Sequence, residues 1–223
     1  MNLLGIETSG MIGSVALHTS AGVLVREIAT PREQTEQVLG LVNELLAAAK
    51  ITLEALDGIA FGRGPGSFTG LRVSTAVVQG LSAATGVPVL PVSSLLCLAE
   101  RAWRESQCER CLVCVDAHMG EVYCAESACR DGVVEIVGPE RLVAPREVVP
   151  LAGAHWAAVG SGFGLGDLAA TRSAAAYVLA ALQPSARDLF PQAARDVAAG
   201  RGVEAAAALP VYLREQTAWR RSS

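Results

Sequence analysis

The 223-residue sequence predicts an α/β protein, one large domain or two small ones, in which each half opens on a hairpin-led sheet. Three observations lead there. Both halves open on short apolar runs separated by turn residues, the pattern of a β-hairpin. In the first half, strand-like runs then alternate with long amphipathic segments. A short polar stretch, Gln107 to Arg110, separates the halves and sets the expected domains at 1–106 and 107–223.

Leu3 to Ile6 and Ser14 to His18 read as strands joined by the turn Glu7-Thr8-Ser9-Gly10-Met11-Ile12-Gly13, and Val23 to Glu27 completes a meander. Pro31 to Lys50 is a helix, with Thr30 as N-cap and Glu33 as its capping-box partner. Its apolar residues Val38, Leu39, Leu41, Val42, Leu45, Leu46 and Ala49 cover an arc of about 180°, wider than the stripe that one sheet hides. Part of that face therefore expects a second surface. Leu56 to Phe61 is an apolar strand and Ser67 to Ala84 a helix rich in small residues: Gly70, Ser74, Ala76, Gly80, Ser82 and Ala83. Such residues suit either the interior of the domain or the close approach of another helix. Gly86 to Val92 is the next strand, and Ser93 caps a helix from Ser94 to about Arg104.

Beyond the break, Cys111 to Val115 and Glu121 to Ala128 form a hairpin around Asp116-Ala117-His118-Met119-Gly120, and Val133 to Val137 adds a strand. Alanine-rich helical segments are expected after it, with a strand from Trp156 to Gly160 between them.

The stretch with most chemical content is Gly62-Arg63-Gly64-Pro65-Gly66-Ser67-Phe68-Thr69-Gly70-Leu71-Arg72, where a strand closes and a helix opens. Glycines let a backbone approach closely, Pro65 sets φ, and Ser67 or Thr69 can cap the helix. The free N–H groups of a helix start attract anions, so a phosphate cradle and a purely structural turn both fit. Known phosphate and nucleophile motifs do not. A Walker A loop needs a lysine inside it, whereas the only lysine in the chain is Lys50. The G-x-G-x-x-G spacing has Ser67 or Thr69 in place of its third glycine, and G-x-S-x-G fails because Pro65 stands two residues before Ser67.

A net charge of −4 argues against a protein that grips nucleic acid unaided, because the phosphate backbone rewards clustered Lys and Arg. No signal-peptide pattern or apolar run of membrane-spanning length is seen, so a cytoplasmic location and no membrane partner are expected. Cys108-x-x-Cys111-x-x-Cys114 has the local spacing of an iron–sulfur ligand set, but His118 stands where the fourth cysteine belongs. Reduced, packed thiols are the simpler expectation. His18, His118 and His155 are spread along the chain without a motif that would make any of them a base or a zinc ligand.

The string GRGPGSFTGLR resembles the signature of the TsaB (YeaZ) family of tRNA threonylcarbamoyladenosine biosynthesis proteins. Leu4-Gly5-Ile6-Glu7-Thr8-Ser9, Asp116-Ala117-His118-Met119-Gly120-Glu121-Val122-Tyr123 and Pro210-Val211-Tyr212-Leu213-Arg214 extend the resemblance, in family order, over nearly the whole chain. It implies the actin-like ATPase (ribonuclease-H-like) fold, in which each half is a five-stranded mixed sheet flanked by helices. In that fold, residues at the positions of Thr8, Ser9 and Asp116 hold phosphate or metal. The run from Gly160 to Gly166 could approach an adenine or be a flexible turn.

The larger relative TsaD resembles the first half and binds a metal through an H-x-x-x-H pair on the helix after the strand that here is Val87 to Val92. By matching strand and helix start, those histidines fall on Ser94 and Leu98. The resemblance thus implies a non-catalytic dimerisation subunit. It would partner a TsaD-type catalytic subunit and a TsaE-type ATPase, meet tRNA only through the complex, and form a homodimer when alone. No cofactor or metal is expected, weak nucleotide binding at Thr8, Ser9 and Asp116 being the exception to test. The two N-terminal helices would supply the partner surface, with Leu39, Leu46, Val73, Val77 and Gly80 facing outward. An actin-like phosphotransferase or ATPase using Thr8, Ser9 and Asp116 is the alternative; a peptidase would need a metal or a nucleophile–histidine pair.

Overall fold

The computed structural model describes residues 1–153 and 155–214. The stretch 215–223, the tail of the second expected domain, lies outside the described residues. Two five-stranded sheets carry the architecture. The first contains β1 (Leu3–Glu7), β2 (Gly13–Thr19), β3 (Gly22–Ile28), β4 (Gly58–Gly62) and β5 (Val89–Val92), in the order β3-β2-β1-β4-β5. The β1–β2 and β2–β3 pairs are antiparallel; β1–β4 and β4–β5 are parallel.

The second sheet contains β6 (Arg110–Asp116), β7 (Val122–Arg130), β8 (Val133–Val143), β9 (Ala157–Val159) and β10 (Tyr177–Leu179), in the order β10-β9-β6-β7-β8. Its β6–β7 and β7–β8 pairs are antiparallel, while β6–β9 and β9–β10 are parallel. Read from its first strand, this is the connectivity of the first sheet repeated. A hairpin leads, a third strand extends it, and two parallel strands complete the other side.

Helices α1 (Pro31–Ala49) and α2 (Phe68–Thr85) cover one face of the first sheet, where Leu4, Ile6, Leu17, Ile59 and Phe61 meet Val38, Val42, Leu45 and Val78. The opposite face packs on α3 (Ser94–Ser106) and α5 (Phe190–Ala198), in a core that also takes Val113, Ala125 and Ala157 from the second sheet. Because α3 has a sheet on either side, Ser94 to Glu100 is buried without a break, and its apolar residues continue around the helix instead of forming one stripe. Trp156, Phe163 and Leu168 fill the outer face of the second sheet, beside the five-residue α4 (Ala169–Ser173).

Several local expectations change form. Thr30 occupies the N-cap position, but its side chain accepts no bond, and Glu33 N–H instead donates to the Thr30 carbonyl at 3.2 Å. The capping box is not built, and Pro31 at the first helical position starts the helix. Alanine content does not make long helices in the second half. Gly138, Pro139, Pro145 and Pro150 interrupt the segment before Trp156, where β8 runs on to Val143 and a 3-10 turn spans Pro145–Glu147. After Ser173 the alanines lead into β10, because pairing with β9 outweighs local helix propensity.

Candidate functional site

The four sequence segments that carry the family resemblance converge in space. Ser67 N–H donates to Ser9 O at 2.9 Å, joining the glycine loop to the β1–β2 turn. Val211 N–H donates to Arg63 O at 2.7 Å, and Arg214 pairs with Glu121 at 2.8 Å while donating to the carbonyls of Ala117 and His118. The C-terminal segment thus straps the glycine loop to the β6–β7 turn.

Glycine is required in this loop for contact. A Cβ on Gly62 would lie 1.9 Å from Glu7 Oε2, and one on Gly70 would lie 1.8 Å from Thr8 O. The loop is therefore pressed against the end of β1. Ser67 caps α2 as expected, accepting from Gly70 N–H at 3.3 Å, and Ser93 caps α3 through the N–H groups of Leu95 and Leu96.

Glu7 lies fully buried beneath this contact, where it accepts from Ser9 N–H at 2.6 Å and from Ser94 Oγ at 3.1 Å. Burial pushes its pKa up, opposed by those hydrogen bonds. Ser94 Oγ also accepts from Gly64 N–H at 3.2 Å, so this side chain is committed to the loop. Leu98 is buried in the core and has no donor atom. At the two positions where the resemblance to TsaD would put histidines, the chain thus has a hydrogen-bonded serine and a packed leucine.

The residues expected to meet a nucleotide are only partly brought together. Thr8 is buried and its Oγ1 donates to Gly70 O at 2.7 Å. Asp116 accepts from His118 N–H at 2.8 Å and its own N–H donates to Ser161 Oγ at 3.0 Å, so it organises its own turn. Ser9 alone of the three lines the slit between the halves, with Pro65, Ser94, Leu98 and Ser161, and that slit encloses about 20 Å³. This is room for one water, against the roughly 300–1,000 Å³ of a small-molecule pocket.

On the outer face of α1 and α2, Leu39 is half exposed and Gly80 faces open space, while Val73 and Val77 are half-buried against the first-sheet core. Leu46 does not face outward; it turns into that core, 6% exposed, because α1 lies against both the sheet and α2. The wide apolar arc of α1 is thereby mostly satisfied inside the domain.

Sequence reading missed an exposed cluster at the start of α2. Phe68 and Tyr212 have ring centroids 5.3 Å apart, and the Arg72 guanidinium sits 3.9 Å from the Phe68 centroid. The exposed Met11 and Ile12 belong to the turn that holds Ser9. An aromatic immediately after a capping serine was a visible signal, but its partner lies at the other end of the chain.

Sheet connectivity repeated in two halves, each a five-stranded mixed sheet flanked by helices, defines an actin-like (ribonuclease-H-like) protein. Residues 11–209 match the family model described as TsaD, tRNA N6-adenosine threonylcarbamoyltransferase. The tRNA threonylcarbamoyladenosine biosynthesis protein TsaB of Escherichia coli K12 is 34% identical over 226 residues, covering 99% of this chain and 98% of its own. TsaB of Haemophilus influenzae is 40% identical over 124 residues, which is 55% of this chain and 52% of its own. The solved structure of YeaZ from Pseudomonas aeruginosa superposes with a TM-score of 0.87 at 40% identity, covering 95% of this chain and 99% of that one. The chain belongs to the TsaB (YeaZ) family.

Proposed function

We propose that this protein serves threonylcarbamoyladenosine formation in tRNA as a non-catalytic subunit, docking through α1 and α2 onto a TsaD-type catalytic subunit that works with a TsaE-type ATPase. The observation that carries this reading is the TsaD family match over residues 11–209 together with TsaB of Escherichia coli K12, 34% identical along 99% of this chain. Thr8, Ser94 and Asp116 spend their side chains on internal hydrogen bonds, and Leu98 is packed in the core. The TsaD family match and the TsaB relatives supply the pathway. The net charge of −4 fits tRNA contact through the complex, and no described helix is long and apolar enough to cross a membrane. In this reading the chain works in the cytoplasm, needs no cofactor, and pairs with itself through the same helices when its partner is absent.

Gly80→Glu and Leu39→Glu test the surface. Gly80 meets nothing within 4 Å and Leu39 is half exposed, so both variants keep the fold, and the first removes a glycine from a helix interior. Both are expected to lose co-purification with the TsaD-type subunit and to lower reconstituted tRNA modification by tenfold or more, the effect of about 1.4 kcal/mol at an interface. Wild-type assembly by both variants would refute the docking face. Turnover of ATP or phosphoryl transfer by the isolated chain would refute the non-catalytic role.

A further inference from the structure

Cys114 on β6 and Cys124 on β7 stand directly opposite each other in the antiparallel ladder, with Sγ atoms 3.5 Å apart. Opposed residues on antiparallel strands have Cα atoms about 4.5–5.5 Å apart, inside the span of a disulfide. Closing the sulfurs to about 2.05 Å therefore needs side-chain rotation and no rearrangement of the strands.

Both thiols are buried, Cys124 at 1% exposure and Cys114 at 0%, but Cys124 alone borders an open groove. Cys124 and Arg141, register partners on β7 and β8, both line a groove of about 470 Å³ together with Leu112, Glu126, Val148 and Leu151. The β7–β8 register also slips between Cys124 and Glu126, which loosens the ladder beside the sulfur. Cys114 is walled in by the turn after β9, where a Cβ on Gly162 would lie 3.0 Å from the Cys114 Cβ.

We infer that Cys114 and Cys124 are a peroxide-responsive dithiol, with Cys124 the site of attack and Cys114 the resolving thiol. The Cys124 thiolate attacks one oxygen of hydrogen peroxide and the O–O bond breaks, leaving a sulfenic acid on Cys124 and, with a proton from solvent, one water. The Cys114 sulfur then bonds to Cys124 Sγ, and the hydroxyl departs with the Cys114 proton as a second water. Two thiols are oxidised and one peroxide is reduced. The division of roles agrees with the local electrostatics. The hydrogen bond from the Cys114 thiol, helped by Arg141, draws the Cys124 pKa down against its burial, while that same contact and burial push Cys114 well above an ordinary thiol.

The full chain is exposed to hydrogen peroxide, its free thiols are alkylated under denaturing conditions, and its peptides are mapped. Two of the six cysteines should resist alkylation, in a reductant-sensitive Cys114–Cys124 link. Cys114→Ser should stop at a sulfenic acid on Cys124 that a cyclic-dione probe captures. Arg141→Ala should slow thiol loss near neutral pH, because the guanidinium that favours the Cys124 thiolate is gone. Six alkylatable thiols after an exposure that oxidises free glutathione would overturn the inference. So would a link formed by Cys97, Cys108, Cys111 or Cys129. The wild-type map decides the matter even if a variant folds poorly.

Discussion

Replacing Gly70 with alanine puts a methyl group 1.8 Å from Thr8 O, a backbone atom that the β1–β2 turn holds in place. That turn is anchored by Thr8 Oγ1 on Gly70 O at 2.7 Å and by Ser67 N–H on Ser9 O at 2.9 Å. Nothing at the contact can rotate away, so the helix start and the turn must part. Overpacking of this severity costs about 3 kcal/mol, and the gain from replacing a helical glycine by alanine returns about 1 kcal/mol. The net loss of about 2 kcal/mol corresponds to a thermal midpoint lower by about 4–8 °C for a chain of this size. Gly80→Ala is the control within the same helix, since a Cβ there meets nothing within 4 Å. It should gain about 1 kcal/mol and raise the midpoint by about 2–4 °C. Thermal unfolding followed by circular dichroism measures both. A Gly70→Ala midpoint at or above wild type would refute the view that this loop exists for backbone contact.

Two further tests address burial and charge. Phe61→Ala empties a fully buried site on β4 and should cost about 3–5 kcal/mol, read from the denaturant midpoint with an unchanged slope. Glu100 is raised from 4.5 to about 7 by burial, opposed by Arg195, so its neutral form is the one the fold prefers. Its stabilising contribution is complete below pH 4.5 and is lost as the pH rises through about 7. Glu100→Gln should flatten the fall of thermal stability over that window, and an unchanged pH profile would refute the assignment.

How much of this could be read beforehand follows the range of the interactions. Ser67 and Ser93 were legible as caps because a cap bonds the N–H groups two or three residues ahead. Thr30 followed the same rule and failed, because Pro31 already starts the helix and the threonine side chain is left unused. The repeated hairpin openings were legible too, since turn residues between apolar runs are a local signal.

Residue identity and short spacing were enough to set the α/β class and the serine caps of α2 and α3. Only the tertiary structure decided that Leu46 turns inward, that Ser173 to Leu179 ends in a strand, that Phe68 meets Tyr212, and that the slit beside Ser9 is closed. Each of those depends on chain segments far apart in sequence, and the energy of bringing them together is packing energy that no local pattern records.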